Sequence, residues 1–218
     1  MKIAAYAGIA TPIVWFALLL TAGALAPGYD PIRQYMTELT DGPTWNLVLS
    51  DFFLGALFIA IFGAGLWTAL GRDGIAAAIA ALVIVKAAAT LGTGLVHGDV
   101  DPLVRTASGQ LHNTLVAVGN VALAIAALLA AWRMPTLQGW DGLRSYNIAT
   151  AVLALLLILA LATLTTAGTG RADAPLSGVG GLVQRLSMLV ADLWPAVIGW
   201  RMLRLAGPQA SSALPSRT

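Results

Sequence analysis

The sequence predicts an all-α integral membrane protein in which six transmembrane helices form one bundle. Hydrophobic residues make up 58% of its 218 residues, charged residues make up only 10%, and the mean hydropathy is +0.82. A water-soluble protein of this length carries far more charge, because charged side chains must cover its surface. The apolar residues fall into six runs of about twenty, which is the number that an α-helix needs to cross a bilayer.

The predicted spans form a single domain over residues 1–205 and occupy residues 3–26, 46–70, 74–97, 110–132, 146–167 and 181–205. The first span resembles a signal peptide, but Pro27 would directly follow the cleavage site, so a retained span is expected. The very short connection at Gly71 and Arg72 predicts a tight helical hairpin between the second and third spans. Residues 206–218 are expected to be a disordered cytoplasmic tail.

The basic residues predict that both termini are cytoplasmic. One set of ends and connections contains Lys2, Arg72, Arg133, Arg144, Arg201, Arg204 and Arg217, whereas the opposite set contains Arg33, Arg105 and Arg171. Connections rich in Lys and Arg face the cytoplasm. We therefore expect a multi-pass protein of the bacterial inner membrane.

Composition also excludes several classes of function. The net charge is only +2 and no basic run is present, so nucleic acid is not an expected partner. The chain contains no cysteine, which excludes disulfides, thiolate metal sites and cysteine nucleophiles. The sequence contains no P-loop, nucleophile elbow or HExxH zinc motif.

The first outer connection is the longest, and apolar residues recur in it at helical spacing. This spacing predicts an amphipathic helix over residues 31–40 that lies on the outer surface. An aspartate stands one or two residues before a proline in each outer connection, where it is expected to cap a short helix. These aspartates are Asp30, Asp101 and Asp173.

Four ionisable side chains fall inside the predicted spans: Asp51, Lys86, Arg185 and Asp192. A charge at mid-membrane costs about 3 kcal/mol on insertion scales, so it is tolerated only where it faces other helices, a partner charge or water. Lys86 and Asp192 have similar depths near the midplane, which predicts an ion pair between them. Lys86 also begins a polar stripe on one face of the third span, which continues through Thr90, Thr93 and His97.

The polar side chains concentrate in the outer half of the spans, which predicts an interior cavity that opens outward and is closed below. The candidate acid–base residues are Asp51, Asp192, Glu38 and His112, because a carboxylic acid kept neutral by burial is a usable proton donor. The candidate substrate-binding residues are Lys86, His97, Asp101, Arg185, Phe58 and Trp194. The structural alternatives are buried charges that fix helix packing, wet helix ends and lipid-facing aromatic rings.

His97, Asp99 and His112 offer imidazole and carboxylate ligands, which a divalent metal ion could use. Their spacing matches no metal-binding signature, and both histidines lie at one end of the spans, which argues against haem. We therefore expect no cofactor and no metal site.

Three short motifs resemble those of one bacterial family. Residues 29–39 read Tyr-Asp-Pro-Ile-Arg-Gln-Tyr-Met-Thr-Glu-Leu, residues 97–101 precede a Gly-Gln-Leu-His sequence at 109–112, and residues 181–186 read Gly-Leu-Val-Gln-Arg-Leu. Together they resemble the six-span membrane proteins of the domain-of-unknown-function 998 family. The resemblance covers residues 3–205 and implies the six-span topology. It further implies that Glu38, Asp101, His112 and Arg185 belong to one outer-face site.

These features favour a membrane-embedded enzyme that acts on an apolar, lipid-soluble substrate. The most concrete version is the cyclisation of an isoprenoid chain, in which a carboxylic acid protonates an alkene or epoxide and aromatic rings stabilise the cation. Two alternatives stay open: a proton-coupled carrier of small solutes, and a non-catalytic lipid-binding protein. The expected partners are a lipid-soluble small molecule and membrane lipids, with a homodimer as one possible assembly.

Overall fold

Six long helices account for nearly all of the regular structure in the computed structural model, which describes residues 1–99, 105–166 and 178–207. They are α1 (Lys2–Leu25), α2 (Trp45–Ala69), α3 (Gly74–Leu95), α4 (Ala107–Arg133), α5 (Arg144–Thr166) and α6 (Gly180–Ala206). Each is long and apolar enough to cross a membrane. The predicted fold class is therefore confirmed, and each predicted span overlaps its helix to within a few residues.

The helices form a closed ring, because each packs against the next in sequence and α6 also packs against α1. The contact between α1 and α6 depends on two glycines that let the backbones approach closely. A Cβ atom on Gly8 would lie 2.5 Å from the carbonyl oxygen of Pro195, and one on Gly199 would lie 2.5 Å from that of Ala5.

One end of the bundle, called the terminal end here, holds the start of α1, the end of α6, the α2–α3 turn and the α4–α5 connection. Arg133 at the end of α4 forms an ion pair of 2.5 Å with Asp73 and donates a hydrogen bond of 3.3 Å to the carbonyl oxygen of Leu70. Arg201 of α6 donates to the carbonyl oxygen of Asp141 at 3.4 Å. The opposite end, called the loop end, holds residues 26–44 and 96–99.

An apolar core fills the terminal half of the bundle. Its large, fully buried side chains come from α2, α3, α6 and the short 3-10 helix Met134–Thr136, and they include Phe62, Leu66, Leu70, Ile79, Met134, Trp194, Ile198 and Met202. A smaller cluster under the loop end contains Trp15, Leu19, Ala22, Met36, Leu39 and Val48. Polar side chains lie between these two apolar regions.

The prediction of an amphipathic surface helix over residues 31–40 is wrong. The structure instead has a short 3-10 helix, Met36–Asp41, and its apolar side chains point into the bundle. Met36 and Leu39 are buried, whereas Ile32, which the helical spacing grouped with them, is exposed. The Asp30 side chain bonds the backbone two residues ahead, where its Oδ1 accepts from the Ile32 N–H at 2.9 Å. Asp101 and Asp173 lie outside the described residues.

Candidate functional site

A small cavity with a largely apolar wall and a few polar side chains, called the inner cavity here, lies inside the ring where α1, α2, α3, α4 and α6 face one another. Its volume is about 30 Å³. One water molecule needs about 10–15 Å³ of such space, so the cavity holds about two waters. Its lining includes Met36, Phe52, Lys86, Thr90, Thr93, Asn120 and Asp192.

Lys86 and Asp192 are the charged groups of the inner cavity. Only 6% of Lys86 and 4% of Asp192 is exposed. The predicted direct ion pair is not present, because their nitrogen and oxygen atoms are farther apart than 4.0 Å. The lysine side chain instead lies along α4, where a Cβ atom on Gly119 would be 3.2 Å from its Cδ. A buried lysine and a buried aspartate therefore line one water-sized space without bonding each other.

Two buried side-chain oxygen atoms in this half of the bundle lack hydrogen-bond partners: Asn120 Oδ1, whose residue lines the inner cavity, and Asp51 Oδ1, whose residue lines neither the inner cavity nor the outer pocket. Buried polar atoms are normally bonded, so an unpartnered one indicates space for water or a ligand. The amide nitrogen of Asn120 donates to the carbonyl oxygen of Val116 at 2.8 Å, which aims the amide oxygen away from that bond. Asp51 is close enough to Asp192 for the two carboxylates to interact electrostatically.

A larger space, called the outer pocket here, lies at the loop end between α2, α3 and α4 and has a volume of about 160 Å³. Its lining includes Thr40, Trp45, Leu49, Phe52, Thr93, Val96, His97 and His112. Phe52 and Thr93 line both spaces and therefore form the partition between them. His112 is buried, and its Nδ1 donates to the carbonyl oxygen of Val96 at 2.8 Å. This bond leaves the Nε2 lone pair as an acceptor.

The histidines and Asp99 are engaged by groups other than a metal. His97 Nε2 bonds the carboxylate of Asp41. Asp99 accepts from the backbone N–H of Thr106 at 3.1 Å and from its hydroxyl at 2.6 Å. Over residues 1–99, 105–166 and 178–207, no three His, Cys, Asp or Glu residues gather closely enough to hold a metal ion.

Arg185 and Glu38 bind residues 29–38 at the loop end and do not line the inner cavity or the outer pocket. Arg185 Nη1 donates to three carbonyl oxygens, those of Pro31 at 2.6 Å, Gln34 at 3.2 Å and Gly181 at 3.0 Å. Glu38 accepts from the Tyr35 N–H at 2.8 Å and from the Gln34 side chain at 2.7 Å. These contacts attach residues 29–38 to the start of α6, and we call them the loop clamp.

The loop clamp also includes Tyr29, Tyr35 and Gln184. Arg185 Nη2 donates to the Tyr29 hydroxyl, whose own proton is shared by the carbonyl oxygens of Gln34 and Tyr35. Gln184 accepts from the Met36 N–H at 2.7 Å, which fixes Met36 where it lines the inner cavity. The loop clamp thus closes the loop-end side of that cavity.

Burial raises the pKa of Tyr29 above its ordinary value of 10.0, and the hydrogen bond from Arg185 partly offsets this effect. Burial likewise raises the pKa of Tyr35. The stability that the protonated phenols contribute is therefore fully present below pH 10.0 and is lost as the pH rises through the raised pKa values of the two tyrosines.

We expect the thermal midpoint of the wild type to fall above pH 10.0 more steeply than that of Tyr29→Phe. Tyr6→Phe, at an exposed position on α1, should follow the wild type, and identical slopes for all three proteins would contradict the prediction.

The predicted aromatic residues do not surround the inner cavity. Phe58 is partly buried and lines neither the inner cavity nor the outer pocket. Trp194 is fully buried in the apolar core, where its Nε1 donates to Asn147 Oδ1 at 2.7 Å and its ring packs edge-on against Phe62. It also lines, with Lys86 and Asp192, a separate space of about 10 Å³. The aromatic rings at the cavity are those of Trp15 and Phe52.

The structure brings together only part of the predicted site. Lys86 and Asp192 share the inner cavity, His97 and His112 share the outer pocket, and Glu38 and Arg185 share the loop clamp. Asp101 lies outside the described residues. Sequence reasoning did not nominate Phe52, Thr93, Asn120 or Met36 as site residues. Asn120 could have been predicted, because it lies within a span, two turns from His112, and placing an amide side chain in lipid is energetically unfavourable.

Comparisons with known proteins give one result. A search of curated proteins and a search of solved structures found no match to this chain. The model of the family described as "Protein of unknown function (DUF998)" matches residues 9–201. This match covers most of the chain, including all of α2 to α5, most of α1 and α6, and the loop clamp, so the chain belongs to the DUF998 family.

Proposed function

We propose that this chain is a membrane-embedded acid–base enzyme that acts on the end of an apolar, lipid-soluble chain. The observation that carries the proposal is the pairing of two spaces across one partition. The inner cavity provides ionisable groups and water, and the outer pocket provides an apolar space for a substrate. Thr93 is the polar member of that partition, and its hydroxyl donates to the carbonyl oxygen of Ala89. When it releases that bond, it can accept a proton from cavity water and donate its own toward the outer pocket.

The residues divide the chemistry as follows. A carboxylic acid, Asp192 with Asp51 behind it, gives a proton to an alkene carbon of the substrate through cavity water and Thr93. This leaves a cation on the neighbouring carbon. The next carbon beyond the cation then loses a proton to Nε2 of His112, and its C–H electron pair forms the double bond at a new position. The proton returns from His112 to the carboxylate, so the reaction is redox-neutral and the enzyme ends unchanged. Lys86 stabilises the carboxylate during the ionised step.

Volume decides which substrates fit. A dry cavity of about 150 Å³ accommodates benzene, so the outer pocket accommodates about one five-carbon isoprenoid unit. The rest of a longer chain would lie in lipid, beside the exposed Trp45. A double-bond shift at the end of such a chain fits this space directly. Cyclisation of the chain, the more specific hypothesis, additionally requires that Phe52 move and join the two spaces.

The proposal also includes an orientation. The terminal end contains Lys2, Arg72, Arg133, Arg144, Arg201 and Arg204, and cytoplasmic connections are rich in Lys and Arg. We therefore propose that both termini are cytoplasmic in a bacterial inner membrane. The outer pocket would then lie at the external leaflet, where lipid-soluble molecules enter laterally.

The test is deuterium incorporation. Membranes that contain the wild type or Asp192→Asn are incubated in D₂O with a panel of prenyl lipids, and lipid extracts are compared by mass spectrometry. We expect one lipid species to gain deuterium at carbon with the wild type, and at least tenfold less with Asp192→Asn. Asp141→Asn removes an exposed carboxylate at the terminal end and should match the wild type. Absence of wild-type-dependent incorporation into any lipid would overturn the proposal.

One observation favours a second candidate, proton-coupled transport of a small solute. Lys86 and Asp192 line one cavity without an ion pair, and ionisable side chains inside a membrane are typical of proton pathways. The terminal half would then have to open in another conformation, because an apolar core fills it here. Proton flux into dye-loaded liposomes that Asp192→Asn abolishes, without any deuterated lipid, would select this candidate over the enzyme.

A further inference from the structure

The outer pocket has a chemical preference that its polar side chains determine. Two polar side chains in its lining, Thr93 and His112, are more than nine-tenths buried. The Thr93 hydroxyl donates its own proton to the carbonyl oxygen of Ala89 at 2.8 Å, so toward the pocket it presents lone pairs. His112 donates from Nδ1 to Val96, so its Nε2 presents a lone pair as well.

The ring of His112 packs against Gly98, another residue of the lining. A Cβ atom on Gly98 would be 3.4 Å from each of Cγ, Cδ2 and Nε2 of this ring. Thr40 repeats the pattern of Thr93, because its hydroxyl donates to the carbonyl oxygen of Thr37. The remaining surface includes Leu49, Phe52 and Val96, which offer no hydrogen bond from their side chains.

We propose that the outer pocket binds a hydroxyl group attached to a branched apolar unit of about five carbons. A hydroxyl can donate its single proton to His112 Nε2 or to the Thr93 oxygen. Trp45 and His97 also line the pocket, but their side chains are exposed. A ketone, ether or epoxide brings only lone pairs to the two buried acceptors, so it leaves them unbonded. A charged headgroup is excluded because no counter-charge lies inside the apolar part of the lining.

The ligand class is therefore an uncharged alcohol with an apolar tail, such as a prenyl alcohol. This inference rests on the proposed function in one respect, namely that the alcohol would be the substrate of the proposed enzyme. The binding experiment involves no reaction, so the enzyme proposal and the binding inference can be overturned independently. Binding of the alcohol without deuterium incorporation would overturn the enzyme proposal alone, whereas incorporation without preference for an alcohol would overturn this inference alone.

The absence of cysteine makes the binding experiment direct. Leu49→Cys places one thiol in the outer pocket, and Ser50→Cys places one on the exposed face of the same helix at the same depth. Each purified variant is reacted with a methanethiosulfonate reagent, and the labelling rate is measured by mass spectrometry. The probes are 3-methylbut-2-en-1-ol and 2-methylpent-2-ene, a hydrocarbon of the same shape in which a methyl group replaces the hydroxyl.

We expect saturating 3-methylbut-2-en-1-ol to slow labelling of Leu49→Cys at least tenfold and to leave Ser50→Cys unaffected. The hydrocarbon should need a concentration several-fold higher for the same protection, because it makes no hydrogen bond. Adding Thr93→Val and His112→Phe to Leu49→Cys should remove this difference between the probes. Equal protection by alcohol and hydrocarbon, or equal protection at positions 49 and 50, would overturn the inference.

Discussion

Arg185→Gln is expected to release residues 29–38 from the start of α6. It should also lower the free energy of unfolding by about 3 kcal/mol, because hydrogen bonds from a charged group contribute about 1.5–3 kcal/mol each. Arg185 donates to three backbone carbonyl oxygens and to the Tyr29 hydroxyl. A glutamine side chain is shorter and uncharged, so it keeps at most one of these bonds. In a chain of this size such a loss lowers the thermal midpoint by about 6–12 °C.

The measurement is thermal unfolding in detergent followed by tryptophan fluorescence, together with limited proteolysis of residues 26–44. Arg144→Gln is the matched control, because Arg144 is exposed at the terminal end. Arg185→Lys keeps the charge but loses the planar fork, and we expect an intermediate midpoint. A midpoint for Arg185→Gln equal to that of Arg144→Gln, with an uncut loop, would contradict the role assigned to the loop clamp.

The loop clamp also explains why the structure of residues 31–40 could not be predicted. Helical spacing of Tyr35, Met36 and Leu39 is a local signal, and an isolated amphipathic helix satisfies it. The actual partners of this segment are Gln184 and Arg185, about 150 residues away in sequence. Because the backbone carbonyl groups of this segment accept hydrogen bonds from a distant arginine, they do not require the hydrogen bonds of a local helix. A tertiary contact therefore overrides the local helical preference.

The spans were predictable for the opposite reason. The length of an apolar run is set by the thickness of the bilayer, which is a constraint that local sequence alone can satisfy. Depth follows from position along a span, so Lys86 and Asp192 were correctly expected near one level. Equal depth does not by itself bring two side chains into contact, however. Contact also depends on the rotation of each helix about its axis and on the side-chain conformation. Lys86 lies along α4 beside Gly119 and forms no ion pair with Asp192.

Helix rotation also explains which aromatic rings line the inner cavity and the outer pocket. Phe58 and Trp194 were expected to face a substrate because they lie within spans, but many residues of a closed helical ring face a neighbouring helix or lipid. Trp194 packs in the core, and its indole N–H is used by Asn147. Phe52, one and a half turns before Phe58 on α2, is the ring that faces both spaces. A preference for the ring nearest Asp51 would have selected it.

Phe52→Ala is expected to open the partition and to expose the inner cavity to reagents that enter the outer pocket. Thr90 lines the inner cavity but not the outer pocket, so Thr90→Cys reports access beyond the partition. In a chain that otherwise lacks cysteine, we expect this thiol to react slowly with a small methanethiosulfonate reagent. Adding Phe52→Ala should raise the labelling rate at least tenfold, because a ring is replaced by a methyl group at a wall that separates two existing spaces.

Three controls make this result specific to the partition. Leu57→Ala truncates an exposed side chain on the same helix and should leave the rate at Thr90→Cys unchanged. Leu49→Cys, on the pocket side, should label at the same rate with and without Phe52→Ala, which establishes that the variant keeps its fold. Arg185→Gln weakens the loop clamp, which holds Met36 in the wall of the inner cavity. This variant therefore tests whether the reagent reaches the Thr90→Cys thiol from the loop end. If Arg185→Gln accelerates labelling and Phe52→Ala does not, the inner cavity communicates with the outside under the loop rather than through Phe52, and the proton path through Thr93 is wrong.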